Sequence, residues 1–523
     1  MRIASAVRWR AALAILLLAA PASFALQPAP SDLGTIDFPT SASRDAQAHF
    51  LRGLAWLYNF GYDEAGQEFR DAQRIEPGFA MAYWGEALTH YHPVWHEQDD
   101  DRGREALARL GDTPSARATK AGTQRERAYL AALEMLFGIG DPIVRQAAYA
   151  KAMAEVAQAY PDDLEAACLY AFAVLGTAPP EGADARLELA GSIAERVFDK
   201  NPRHPGAAHA IIHAFDDREH SARALGAARA YAQIAPASSH ARHMPAHVFL
   251  QLGMWEEAAA SDAAAFAISD ATIRQKGASL AERDYHPLTW LVYEYLQQGR
   301  YAKARDAMKP FEEAIAATDD VRIKNDLATL RAYYTIETRQ WQGTRDRNRY
   351  DNADELFAIG LGAAKLKDLP KVERVLAGLQ QLAQRDPDPT RADMARLMGH
   401  ELEALLHLAR GRRAEAIAAI ERATAIEDRY PRPVGRQHPV KSSHELFGEI
   451  LLDLGRPRDA KTEFERALWR AANRTLSVLG LARASAKLGD TAAARRQYRQ
   501  LLANWRNADP GLPELKEARA FVK

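Results

Sequence analysis

The chain of 523 residues holds one cysteine, Cys168. A lone thiol closes no intramolecular disulfide, so stability has to come from packing. A charge surplus is missing too, with 68 Lys and Arg set against 69 Asp and Glu, interspersed. That balance gives no electrostatic case for nucleic acid or an anionic membrane surface. Alternating β-branched runs are absent, which argues against sheet. Several catalytic signatures are also missing: a Gly-rich phosphate loop ending in Lys-Ser/Thr, a Gly-x-Ser-x-Gly elbow and a His-Glu-x-x-His pair.

The first 25 residues read as a secretory signal peptide. Arg2, Arg8 and Arg10 precede the apolar stretch Ala11 to Ala20, and Ser23 and Ala25 supply small residues at −3 and −1 of a cleavage site. The apolar stretch falls short of the roughly 20 residues that span a bilayer. The expectation is a mature chain beginning near Leu26, periplasmic or secreted, with no membrane span. No cysteine follows the apolar stretch, so no lipid anchor is indicated. A mature N-terminus other than histidine excludes a copper site built on a terminal histidine.

From about Asp45 onward, Ala-rich amphipathic segments alternate with short Gly, Pro and Asp turns, which predicts an all-α chain. Gly53, Ala65, Phe69, Ala72 and Pro77 stand at helical-hairpin spacing. Small residues sit where two helices touch, an aromatic fills the gap to the next hairpin, and proline ends the second helix. Gly448, Gly455, Ala460, Phe464 and Ala467 mark a repeat over 441–474. Ala482, Gly489, Ala494 and Tyr498 mark the next, over 475–508, and Ala404, Gly411, Ala416 and Ala423 mark one from about Leu397. The 34-residue step resembles the tetratricopeptide repeat (TPR), which implies an α-solenoid superhelix. The polar segment Gln342–Asn352 is a candidate boundary between an N-terminal array over 26–340 and a C-terminal one over 354–523, although a single continuous superhelix is equally economical.

The chain also resembles a group of exported bacterial TPR proteins of unestablished role. Tyr83-Trp84-Gly85-Glu86-Ala87 with His92-Pro93-Val94-Trp95, His204 to His209 with Ile212-His213-Ala214, His240 to His247, and Tyr285-His286 with Tyr293 to Gln297 carry the resemblance. In that group an Asp often follows the last His by three positions; here the residue is Thr289.

Eleven of the 16 histidines lie between 90 and 286. His209 and His213 are an i, i+4 pair, and His243 and His247 repeat it 34 residues later, so each pair shares one helix face. His240, His243 and His247 occupy the second, fifth and ninth positions of a first helix. In TPR proteins these positions line the concave groove, so the resemblance implies a shared cavity. His92 ends an earlier helix, and His286 opens a later one after an insert. Imidazole nitrogens in this arrangement suit a transition metal such as zinc, copper or iron. His209, His213, His243 and His247 are the candidate ligands, completed by His240, His286 or an acid such as Asp216, Asp217, Glu282 or Asp284. Tyr293 and several tryptophans could stack on a ligand in the groove, Cys168 reads as a small buried hydrophobe, and His400 and His444 fall at a packing position. Two readings follow. The first is an exported scaffold whose groove binds a peptide or protein segment. The alternative is a metalloprotein, catalytic or not, with zinc suiting hydrolysis or structure and copper or iron suiting redox work.

Overall fold

The computed structural model describes residues 30–177, 183–346 and 352–523, so the expected signal peptide over 1–25 lies outside the described residues. Among the described residues the chain forms 25 α-helices, and its only strands are the two-residue pair Tyr91–His92 and Glu97–Gln98, antiparallel with Tyr91 opposite Gln98. None of these helices is long and apolar enough to cross a membrane. Consecutive helices pack antiparallel as hairpins, and each hairpin stacks on the next, which makes an all-α superhelix of TPR type.

The glycine-aromatic pattern acts as the sequence predicts. A Cβ on Gly53 would lie 2.8 Å from the Phe69 ring, and one on Gly85 of the next hairpin would lie 2.4 Å from it. Phe69 therefore fills a slot with a hydrogen for a wall on both sides. Phe464 repeats this between Gly448 and Gly480, at 2.8 and 2.2 Å. Gly455 and Gly489 turn the chain between helices at φ of +72° and +79°, the left-handed region where glycine carries no Cβ penalty.

Apolar packing forms one large cluster from Phe38 to Val248, a second from Ala246 to Ala484, and a smaller one from Leu476 to Ala518. The two large clusters meet on the helix Ser239–Gln251, which carries His240, His243 and His247. The C-terminal hairpins fold back on the middle of the chain. Thr475 N–H donates to Gln297 Oε1 at 2.9 Å, Trp505 Nε1 donates to Gln297 O at 3.1 Å, and Trp255 Nε1 donates to Asn473 O at 3.1 Å. At the other end, helix Arg44–Tyr58 packs on helix Pro205–Ala214. The histidine helices are thus enclosed from both ends of the chain.

Candidate metal centre

Three helices deliver the histidines. Pro205–Ala214 opens with His204, whose Nδ1 accepts from Ala207 N–H at 3.1 Å, a capping role that occupies this ring in the structure. His209 and His213 follow on its inner face. Ser239–Gln251 is capped by the Ser238 hydroxyl, and Tyr285–Gln297 by the Asp284 carboxylate. The helix preceding Tyr285, Trp255–Lys276, runs to 22 residues and is followed by the short turn Leu280–Glu282. This insert stretches the step from His240 to His286 to 46 residues.

The six rings sort into two triads. His209, His213 and His240 form one, and His243, His247 and His286 the other; within each, one donor atom per residue lies within 4.8 Å of the rest. The four residues singled out from the 34-residue step therefore do not make one set. Each i, i+4 pair takes its third ring from the second position of the next first helix, His240 or His286. The triads are neighbours, with ring centroids 6.1 Å apart for His213 and His247 and 6.4 Å for His240 and His243.

Hydrogen bonds fix the tautomers. Tyr58 O, a carbonyl freed at the end of helix Arg44–Tyr58, accepts from His209 Nδ1 at 2.7 Å. Asp262 Oδ1 accepts from His243 Nδ1 at 2.6 Å, and Asp216 Oδ2 from His247 Nδ1 at 2.5 Å. With the proton held on Nδ1, each of these three rings turns its Nε2 toward a neighbouring imidazole. His209 Nε2 lies 2.9 Å from His213 Nε2 and 3.0 Å from His240 Nε2, while His247 Nε2 lies 3.1 Å from His243 Nε2. Two lone pairs facing each other at 3.1 Å repel, and a shared cation converts that repulsion into ligation. Acids or carbonyls holding the far nitrogen are also what orients metal-binding histidines.

Burial pulls His209, His240 and His243 well below the ordinary imidazole pKa, and neighbouring imidazoles push the same way. His213 falls to about 3 for the same reasons, and burial also lowers His286. These five rings are uncharged at neutral pH, the form that ligates. Behind His243, Asp262 and Glu294 are both fully buried. Burial raises both carboxyls, and the Glu294 charge raises Asp262 further. Aromatic rings pack against both triads. Phe60, in the left-handed region at φ of +54°, lies 4.2 Å from His209 and 5.2 Å from His240. Trp290 lies 4.9, 4.5 and 5.1 Å from His243, His247 and His286.

The other expected site residues fall elsewhere. The His92 ring stacks on Tyr62 at 4.0 Å, and Trp95 stands between it and His240. Glu282 closes a capping box on Ser279 at the rim of a cleft of about 620 Å³ that reaches His240. Tyr293 is buried away from the rings, its hydroxyl accepting from Arg474 at 3.3 Å. Cys168 is buried, with Sγ 2.7 Å from where a Cβ on Gly206 would stand. His400 is part-exposed and pairs with Glu403 at 3.1 Å, so it is not a core residue, whereas His444 is.

Asp262 was missed, although its spacing carried a signal. His49 with Glu68, His243 with Asp262, and His444 with Glu463 each bond at 2.6 Å across a hairpin, 19 residues apart. That separation joins the middles of two helices linked by a short turn.

No family model matches the chain, and no curated protein does. Among solved structures, human IFIT1 bound to m7Gppp-AAAA aligns at 14% identity over 91% of this chain and 92% of that one, with a TM-score of 0.35. Yeast Tom70 aligns at 12% identity over 91% and 95%, with a TM-score of 0.30. A tetratricopeptide repeat protein from Parabacteroides merdae aligns at 15% identity over 54% and 98%, also at 0.30. Likenesses this distant carry no argument about this chain, whose architecture stands on its own hairpins.

Proposed function

We propose that this protein is a TPR superhelix that binds transition-metal ions through the His209, His213, His240 and His243, His247, His286 triads. The observation that carries the reading is the pair of Nδ1-anchored rings, His243 and His247, whose Nε2 atoms face each other at 3.1 Å. Neutral nitrogen donors with no thiolate nearby suit zinc, copper(II) or iron, and ligand type alone does not choose among them. Elemental analysis of the purified full chain tests the reading. Wild type should retain a stoichiometric transition metal through dialysis, and His243→Ala/His247→Ala should lose at least one equivalent. Equal, substoichiometric metal in both proteins would defeat it.

A peptide or protein segment docked in the cleft beside His240 is the second reading. It is favoured by Trp95, 48% exposed near His240, and by a mixed lining that includes Lys276, Asp284 and Arg322. A periplasmic or secreted site of action remains part of the proposal. The protein isolated from its native host should begin near Leu26, and an intact Met1 on the cytoplasmic protein would overturn the export expectation.

A further inference from the structure

The two triads share a plan but not their surroundings. In the His243, His247, His286 triad, two of the three ligands are backed by acid side chains, His247 by the Asp216 carboxylate and His243 by Asp262, which shares its buried site with Glu294. Gln251 Nε2 donates to the Asp216 carboxylate at 3.5 Å. In the His209, His213, His240 triad, the only Nδ1 anchor among the described residues is the neutral Tyr58 carbonyl, and the Asp216 carboxylate acts on His213 without bonding to it. A carboxylate partner makes an imidazole a stronger donor and places negative charge where a divalent ion adds positive charge; a carbonyl does only a little of either.

Each triad reaches solvent on one side, the first through His286 and the second through His240, which lines the cleft of about 620 Å³. His286, crowded by the neighbouring rings, still presents part of its surface to solvent, and Asp216 lines an open cleft of about 580 Å³ with Gln251, Asp428 and Tyr430. His209 is completely buried under Phe60 and Tyr231. The triads also sit close enough to feel each other's charge, with rings 6.1 Å apart at His213 and His247. An ion in one triad raises the cost of a second in the other.

We infer that the protein has two metal sites of unequal affinity, filled in order: the carboxylate-backed triad His243, His247, His286 first, and the carbonyl-backed triad His209, His213, His240 second. This rests on the metal-binding reading above.

The experiment is a Co²⁺ titration of the full chain, followed by visible absorption and by tryptophan fluorescence, with Trp290→Phe as the control that identifies the Trp290 signal. Two steps are expected, the first at least about tenfold tighter, with Trp290 quenched mainly during the first. Asp216→Asn and Asp262→Asn should each weaken the first step by about 10- to 100-fold and shift the second far less, since Asp216 reaches His213 only through space. Asp216 is only part-buried, so its variant keeps the test open if Asp262→Asn fails to fold. His209→Ala should remove the second step and leave the first. A single class of two equivalent sites, a Trp290 signal that changes only with the second equivalent, or Asp variants that shift both steps alike would overturn the ordering while leaving metal binding intact. No Co²⁺ bound by wild type would defeat the metal reading itself.

Discussion

His243 and His444 are both buried, both sit on the first helix of a hairpin, and both give Nδ1 to a carboxylate 19 residues on at 2.6 Å. They part at the second nitrogen. His444 Nε2 meets Asp428 at 3.0 Å, and its flanking acids outweigh burial and raise its pKa above the usual imidazole value. His243 Nε2 meets another imidazole, and burial drives its pKa down. One is a cation fastening two helices; the other is a neutral donor aimed into a cluster. A buried histidine with an acid on one nitrogen is therefore ambiguous, and the partner of the other nitrogen decides what it can do.

Substitution should separate the two histidines most sharply. His243→Ala is expected to reduce bound metal by one equivalent. His444→Ala should leave metal content unchanged but destabilise the fold by about 3 kcal/mol, because Glu463 is left buried beside a cavity. Metal analysis alongside urea unfolding checks both, and loss of metal from His444→Ala would erase the distinction.

The pH dependence should have opposite signs in the two regions of the metal-free protein. His444 titrates higher folded than unfolded, so its contribution is full below about pH 6.5 and fades as pH rises through the raised value. His209, His213, His240, His243 and His286 titrate lower folded than unfolded. The unfolded chain then binds more protons, and the histidine-rich half loses stability as pH falls from about 6.5 toward the value near 3 of His213. Hydrogen exchange at pH 7.5 and pH 5 should show the 205–297 helices loosening in acid while the 443–470 hairpin holds. Uniform loosening would contradict the assignment.

Gly480→Ala should have the smallest effect. Its Cβ would press on Phe464 at 2.2 Å, a clash expected to cost about 1–3 kcal/mol in the C-terminal repeats. Metal affinity should be untouched, and a weakened metal step would mean that the two halves are coupled through the solenoid.

The hairpins were legible because Gly53, Phe69 and Pro77, and again Gly448 and Phe464, answer to short-range geometry within one repeat. The histidine stripe was legible for the same reason, since positions two, five and nine of a helix share a face. Which rings would meet was not. Triad membership depends on how far one hairpin is turned and shifted against the next, so His240 joins the pair on Pro205–Ala214 and His286 completes the pair on Ser239–Gln251. Tyr293 holds the ninth position on the His286 helix, yet it contacts Arg474 because the C-terminal hairpins return across Gln297, a contact spanning about 180 residues that no local pattern announces.

X-ray absorption on the full chain loaded with Zn²⁺ and dialysed free of excess tests the central claim most directly. The account predicts stoichiometric zinc with imidazole nitrogens at about 2.0–2.1 Å, at least three per ion, and loss of that shell in His243→Ala/His247→Ala. A shell of oxygens alone, or nitrogen ligation unchanged in the double variant, would contradict it.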